Sequence, residues 1–262
     1  MGDKMKYSII MPYYKRDFHL YNTLISFAHH YKDRDDFEVV IVEDIKNIED
    51  EGDHNKLLDV IDKFSHVNIK RIDSNFVNCY NPAPLFNLGV KESSGKYLIL
   101  TNPEVFHKVN IFDGLDSLFG QDKNVYVVCG CENVIKYPQY AESFEKFTYE
   151  HHQWYQHSKH RNALFHFCSA ISKENYLKIG GFDERYKDGI AHDDNDFRDT
   201  VFKNKIKVLV NDNLHTLHLA HDSAFSFVKD EGKLMKRNEL LYVLKKQGRS
   251  DDQINKVLNC FD

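Results

Sequence analysis

The sequence predicts an α/β fold built on a mainly parallel sheet, and three observations carry that expectation. Short apolar runs of β type alternate with amphipathic segments of helical period through the first half of the chain. Several of these runs stop at a proline or a pair of acids, which gathers polar side chains at the carboxyl ends of the strands, where such sheets bind ligands. The 262 residues, 42% hydrophobic and 29% charged, suffice for one large domain or two small ones with a real core.

In chain order, Lys6 to Met11 (KYSIIM) is a buried strand stopped by Pro12. Leu20 to Tyr31 carries Leu20, Leu24, Ile25, Phe27 and Ala28 at helical spacing. Phe37 to Val42 (FEVVIV) is a second strand ending in Glu43 and Asp44, Asn55 to Phe64 a second helix, and Val67 to Ile72 a third strand. Pro84 to Val90 opens another helix, and Lys96 to Leu100 (KYLIL) is a strand that breaks off at Thr101-Asn102-Pro103-Glu104. Proline removes a ladder donor and holds its predecessor extended, so Asn102 and Glu104 stand on either side of a rigid corner. Val125 to Cys131 and Ala163 to Ile171 are expected as strands, Lys173 to Ile179 as a short helix and Lys207 to Val210 as a further strand. Ser250 with Gln253 forms the capping box of a last helix through Leu258. Pro12-Tyr13-Tyr14, Glu43-Asp44 and the residues after Ile72 thus fall along one rim. Neither a G-x-G-x-x-G nor a G-x-x-x-x-G-K-[ST] run occurs, so the dinucleotide and Walker phosphate cradles are absent.

A net charge of −5 gives no bulk attraction to nucleic acid or anionic lipid. Five scattered cysteines, without a C-x-x-C pair, favour reduced thiols in a cytoplasmic setting over a disulfide framework or a zinc site. No apolar run approaches the roughly 18 residues of a membrane span, and no signal-peptide core is present. Tyr137 to Arg161 is polar and aromatic, with His151, His152, His157 and His160 lacking the i, i+4 pairing of zinc motifs. These histidines read as surface or substrate-loop residues, and the aromatics around them, Trp154 included, suit stacking on sugar faces or bases.

The densest polar stretch is Gly180 to Arg198 (GGFDERYKDGIAHDDNDFR). Aspartates this close raise each other's pKa unless a cation, a proton or water relieves them. The plain alternative is a solvated acidic helix start, since Asp favours N-caps and first turns.

Several motifs, in order, resemble the nucleotide-sugar-dependent glycosyltransferases of the GT-A fold, in particular the large inverting family 2, over roughly Lys6 to His221. Ser8 to Tyr14 (SIIMPYY) is similar to the family's first strand and nucleotide loop, and Val39 to Asp44 (VVIVED) to its second strand with paired acids. Asn87-Leu88-Gly89 followed by Gly95 to Leu100 (GKYLIL) resembles the run leading into the metal motif. Gly180-Gly181-Phe182-Asp183-Glu184 closely matches the family's GGFDE, and Asp193-Asp194-Asn195-Asp196-Phe197 resembles its E-D-x-[DE]-[FL] helix start, with Asp193 in place of the usual Glu. One departure stands out: Asn102-Pro103-Glu104 replaces Asp-x-Asp.

The resemblance implies a GT-A-type, Rossmann-like mixed sheet flanked by helices, with a catalytic domain over 1–222 and a C-terminal helical extension, 223–262, packed on it. It implies transfer of a sugar from a nucleoside-diphosphate-sugar, UDP-linked by expectation, to an acceptor hydroxyl with inversion. Asp194 is then the base; Pro12, Tyr13, Tyr14, Glu43, Asp44, Asn87 and Asn102 meet the donor; and Asp193, Asp196 and Trp154 meet the acceptor. A divalent cation, Mn²⁺ or Mg²⁺, falls to Glu104 with His218 or His221, while Asn102 offers only a neutral oxygen. The acceptor is a glycan or another hydroxyl-bearing molecule; a modified nucleobase in DNA is disfavoured by the net charge. Two rivals stand beside this reading. One is a non-catalytic sugar-nucleotide binder, and the other a metal-dependent phosphohydrolase using the dyads His192-Asp193 and His221-Asp222.

Overall fold

The computed structural model describes residues 5–44, 51–76, 79–222, 228 and 230–260. Its strands are β1 (Tyr7–Tyr13), β2 (Phe37–Glu43), β3 (Ile69–Asp73), β4 (Tyr97–Thr101), β5 (Val105–His107), β6 (Val125–Ile135), β7 (Glu150–Gln156), β8 (Cys168–Ser172) and β9 (Lys207–Leu219). The helices are α1 (Asp17–His30), α2 (Glu51–Lys63), α3 (Ala83–Glu92), α4 (Ile111–Gln121), α5 (Lys173–Lys178), α6 (Asp193–Lys203), α7 (Glu231–Lys246) and α8 (Asp251–Leu258), with a 3₁₀ turn at Glu184–Asp188.

One sheet joins all the strands in the order β3-β2-β1-β4-β8-β6-β9-β5, with β7 paired to β6. The block β3-β2-β1-β4 is parallel, β8 runs antiparallel between β4 and β6, and β6 and β9 are parallel. Alternate side chains of β1 sort to the two faces. Tyr7, Ile9 and Met11 pack beneath α1 and α4 with Leu24, Phe27, Phe112 and Phe119, whereas Ile10 packs on the opposite face with Phe86, Phe182, Phe197 and Leu241. The sheet is therefore covered on both sides, as its continuous apolar strands require. The fold is α/β with a mainly parallel sheet flanked by helices, as the sequence predicts.

Strand order reverses between β1 and β4, so their carboxyl ends open the crevice in which α/β sheets place ligands. Pro12 does not stop β1: the strand continues to Tyr13, and Pro12 pairs opposite Val42. It lies beyond Ile10–Leu100, the last pair with β4, so its missing N–H faces a ladder on one side only.

Other differences follow from tertiary pairing. The strand expected over Ala163 to Ile171 is confined to Cys168–Ser172, and the preceding residues form a loop. Lys207 to Val210 is only the first part of β9, which kinks between the pairs Cys129–Asn211 and Gly130–His215 and continues to Leu219. Gly130 permits that kink, because a Cβ there would stand 2.9 Å from the Cα of Asp212. Beyond the kink, β9 also pairs with β5, an element the sequence pattern does not announce, placing His218 opposite Val105. Part of the polar, aromatic Tyr137 to Arg161 is the strand β7.

The last helices cover the second face. Leu241 of α7 and Ile254 and Leu258 of α8 are buried there, and Ser250 and Gln253 form the expected capping box. Residues 223–227, part of the expected extension, lie outside the described residues.

Candidate active site

A cleft of about 700 Å³ opens at the carboxyl ends of β1 and β4. It is lined by Pro12, Tyr13, Tyr14, Asp44, Asn102, Glu104, Asp193, Asp194, His218 and His221 among the residues expected at the site. Arg16, Asn81, Tyr155 and His166 line it as well.

One wall is built by the corner after β4. Thr23 of α1 donates its hydroxyl to the carbonyl of Pro103 at 2.7 Å, and the Leu219 N–H donates to the carbonyl of Glu104 at 2.9 Å. These bonds pin Glu104 beside the end of β9. The Glu104, His218 and His221 donor atoms all lie within 4.8 Å of one another. His218 Nε2 is 3.3 Å from His221 Nε2, which is 3.4 Å from Glu104 Oε1. His218 Nδ1 faces Asn133 Oδ1 at 2.6 Å and His221 Nδ1 faces the Asp222 carbonyl at 2.8 Å. His218 Nδ1 thus has an oxygen acceptor for a proton, whereas His221 Nδ1 also faces Arg16 Nη2 at 3.0 Å and its Nε2 reaches Glu104 as a hydrogen-bond donor, a proton that a bound cation would displace.

Two imidazoles and a carboxylate, each anchored from behind, fit a divalent cation of borderline softness such as Mn²⁺ better than Mg²⁺, which prefers oxygen alone. Electrostatics agree. Burial would raise the Glu104 carboxyl, but the hydrogen bond from His221 and the charges of His221, His218 and Arg16 hold it at about 2. Burial lowers His218 to about 4, keeping it neutral and able to ligate. Asn102 lines the cleft one turn of chain away, with only its amide to offer.

The opposite wall is the first turn of α6. The turn before it is strained, with Ala191 at φ 62° and His192 at φ 67°, conformations worth about 1–3 kcal/mol each in non-glycine residues. Buried Asn238 of α7 holds the turn by donating to the carbonyls of Tyr186 at 2.9 Å and Ala191 at 3.0 Å. Asp193 is buried and accepts from Asn81 Nδ2 at 2.7 Å. Asp194 is one-third exposed towards the cleft and forms an ion pair with His166, Nδ1 to Oδ1 2.6 Å. Burial, and then the charge of Asp194, push Asp193 up to about 6, against the pull of His166 and Asn81. The donor atoms of His166, Asp193 and Asp194 also lie within 4.8 Å of one another. His166 and Asp194 nevertheless approach closer than two ligands of one ion, which stand about 3 Å apart.

Four expected residues lie outside the cleft. Glu43 is fully buried beneath it, bound by His54 Nδ1 at 3.0 Å and Arg71 at 2.7 Å, and the neighbouring Asp44 lines the cleft instead. Asn87 clamps the double-glycine turn: its Oδ1 accepts from Phe182 N–H at 3.0 Å and Tyr176 hydroxyl at 2.7 Å. Gly181, at φ 67°, allows that approach, since a Cβ would stand 2.5 Å from Asn87 Oδ1. Asp196 is tied to Lys245 of α7 at 2.6 Å. Trp154 points from β7 to the other side, its ring 4.3 Å from that of His157, whereas Tyr155 faces the cleft. His215 likewise faces away and pairs with Glu132 at 2.9 Å. The His192 ring stacks with Tyr242 at 5.6 Å instead of facing His221, so the two His-Asp dyads form no shared site.

Sequence reasoning missed His166, Arg16, Asn81 and Tyr155. A lone histidine in an apolar run (LFHFCSA) carries no signal, and its partner is distant in sequence. Arg16 donates Nη2 to the Asp222 carbonyl at 2.9 Å, a contact only the folded chain reveals.

No protein-family model matches the chain, and no curated protein matches its sequence. Solved structures do match its fold. TarS of S. aureus in complex with UDP is 14% identical with a TM-score of 0.63 over 92% of this chain and 66% of that one. GalNAc-T7 with UDP, GalNAc and Mn²⁺ is 14% identical with a TM-score of 0.65, over 91% of this chain and 48% of that one. The mannosyltransferase PcManGT of Pyrobaculum calidifontis with GDP-Man and Mn²⁺ is 12% identical with a TM-score of 0.58, over 91% of this chain and 62% of that one. The chain thus spans just under two thirds of TarS 1-349 and less of the other two, and its fold is that of GT-A glycosyltransferases. Among the described residues, no helix is long and apolar enough to cross a membrane.

Proposed function

We propose that this chain is a glycosyltransferase that moves a sugar from a nucleoside-diphosphate-sugar, UDP-linked by preference, to an acceptor hydroxyl with inversion. The observation that carries the reading is one cleft with two unlike walls: a cation-ready carboxylate and two imidazoles on one side, a cleft-facing Asp194 on the other. In this reading Asp194 takes the proton of the acceptor hydroxyl as its oxygen attacks the anomeric carbon. Glu104, His218 and His221 hold a divalent cation, which when bound supplies positive charge to the departing diphosphate. Arg16 adds a fixed charge on the same side. Pro12, Tyr13, Tyr14 and Asp44 frame the nucleoside, and Tyr155 offers an aromatic face to the acceptor. Residues 1–222 are then the catalytic unit and 223–262 an extension packed on it.

Thermal unfolding with UDP, GDP, UDP-GlcNAc and GDP-Man, each with and without Mn²⁺, tests the proposal. The expected result is a rise in midpoint with UDP and UDP-GlcNAc that grows with Mn²⁺ and shrinks when Mg²⁺ replaces it. No rise with any nucleotide overturns it.

A further inference from the structure

We propose that His166 is the positioning residue of the base: its imidazole, packed behind Asp194, holds one oxygen of that carboxylate and turns the other to the cleft. The inference rests on the reading of Asp194 as base.

His166 is buried, 5% exposed, before β8, and its ring meets the rings of Phe86 and Phe182 edge-on at 4.7 and 4.8 Å. Aromatic walls on two sides leave the imidazole little freedom and hold Nδ1 2.6 Å from Asp194 Oδ1, an ion-pair contact and not an aligned hydrogen bond. The second oxygen of Asp194 then remains for the cleft. The two aspartates are treated differently. Asp193 has a neutral partner, the Asn81 amide, and Asp194 has an imidazole.

Two carboxylates side by side disfavour each other's charge unless a positive group stands beside them. The titratable groups facing this pair are His166, Tyr126 of β6, Tyr155 of β7 and Tyr186 of the 3₁₀ turn. All three tyrosines are pushed up and neutral, so among these groups His166 is the one able to supply positive charge. Burial alone would keep it neutral, but Asp194, and then Asp193, raise it above its ordinary value. An imidazolium there places its positive charge against Asp194, its partner at 2.6 Å, while the more deeply buried Asp193 faces the neutral Asn81 amide. Nothing is consumed in this arrangement. Asp194 accepts the acceptor's proton, and His166 stays a partner without touching substrate.

The test uses the full chain with UDP-GlcNAc and Mn²⁺, reading UDP release with water as acceptor, beside NMR titration of the His166 ring. His166→Leu is expected to lower kcat about tenfold or more, with KM for UDP-GlcNAc within about twofold. The acid limb of its pH profile should move to higher pH, because the positive charge that an imidazolium places beside the carboxylates is gone. His166→Asn, which keeps an N–H where Nδ1 stands, should recover part of kcat while the limb stays shifted. In the titration, the His166 pKa should fall by about one unit or more in Asp194→Asn.

Wild-type kcat with an unshifted limb in a folded His166 variant overturns the proposal, as does a His166 pKa indifferent to Asp194→Asn. Should His166→Leu fail to fold, His166→Asn and the titration decide. Turnover retained in Asp194→Asn removes the base itself, whereas a dead Asp194→Asn beside unaffected His166 variants removes only the positioning role.

Discussion

The two walls of the cleft solve opposite electrostatic problems with similar parts, histidines beside buried acids. At the end of β4, a single carboxyl is surrounded by positive or polarisable neighbours and is held down at about 2. At the start of α6, two carboxyls lie side by side with one imidazole between them and the core, and Asp193 is pushed up to about 6. The first wall is built to stay anionic and receive a cation; the second is poised to exchange a proton near neutral pH. Environments that drive acids apart in this way are how one fold assigns different chemical roles to the same functional group. The difference comes from the backbone. Glu104 sits on a corner pinned by Thr23 and Leu219, within reach of one ring from β9 and one just beyond its end, whereas Asp193 and Asp194 share one helical turn and cannot separate.

The largest effect expected from breaking this contrast is at Asp194. Asp194→Asn keeps the shape and removes the proton acceptor, so transfer should fall by about 10²–10⁴-fold. The midpoint rise caused by UDP with Mn²⁺ should persist, because the cation wall is untouched. Equal loss of nucleotide binding would place Asp194 in donor recognition instead.

Next is the cation wall itself. Glu104→Gln or His218→Ala removes one of the three donors, and the Mn²⁺-dependent part of the UDP stabilisation should vanish while the metal-free part remains. A Mn²⁺ increment that survives both substitutions would locate the cation elsewhere.

Asymmetry between the walls also predicts opposite responses of stability to pH. Asp193 has a folded pKa above its unfolded value, so the native state holds a proton the unfolded chain has already released. Its contribution is intact at about pH 4 and is lost as pH rises towards 6. Asp193→Asn removes that loss and should raise Tm by a few degrees at pH 7, the gain disappearing near pH 4. Glu104 runs the other way: its folded pKa is depressed, so its contribution is present above the ordinary carboxylate range and fades as pH falls towards 2. Metal-free Glu104→Gln should therefore lose stability at pH 7 relative to the parent and converge with it in acid. Identical pH–Tm curves for the parent and Asp193→Asn would show that Asp193 is ionised without cost.

Much of this contrast was legible in the sequence, and its limits have physical causes. Continuous apolar runs exposed β1, β2 and β4, which are buried on both faces, and the 3.6-residue period exposed most of the helices, which are buried on one. The acids after β2 and β4 and at the start of α6 were visible because strand ends and helix starts carry local signals. Non-local pairing was not visible. The short β5 has no pattern of its own, so nothing in the chain announced that the second half of β9 would fold back along it and bring His218 to Glu104. The same holds for His166, whose role exists only once β8 and α6 are neighbours of α3. Motif position also overstated Glu43, Asn87 and Asp196: each is polar because it braces the fold, through His54 and Arg71, through the double-glycine turn, and through Lys245.

The smallest expected effect is the sharpest check on which side of β7 belongs to the site. Trp154 and Tyr155 are adjacent, and neighbouring residues of a strand point to opposite faces. Tyr155 lines the cleft, its ring 4.2 Å from Phe167 and 5.0 Å from His218, with the Arg161 guanidinium 4.7 Å from it. Trp154 instead packs among His157, His160 and His215. Tyr155→Ala should thus weaken acceptor use and loosen the ring of His218, lowering UDP release from UDP-GlcNAc several-fold. Trp154→Ala should change it by less than about twofold, with at most a small drop in Tm from lost aromatic contacts. The reverse ranking would mean that the acceptor approaches over the outer face of β7, along the histidines, and that the walls of the cleft hold the donor alone.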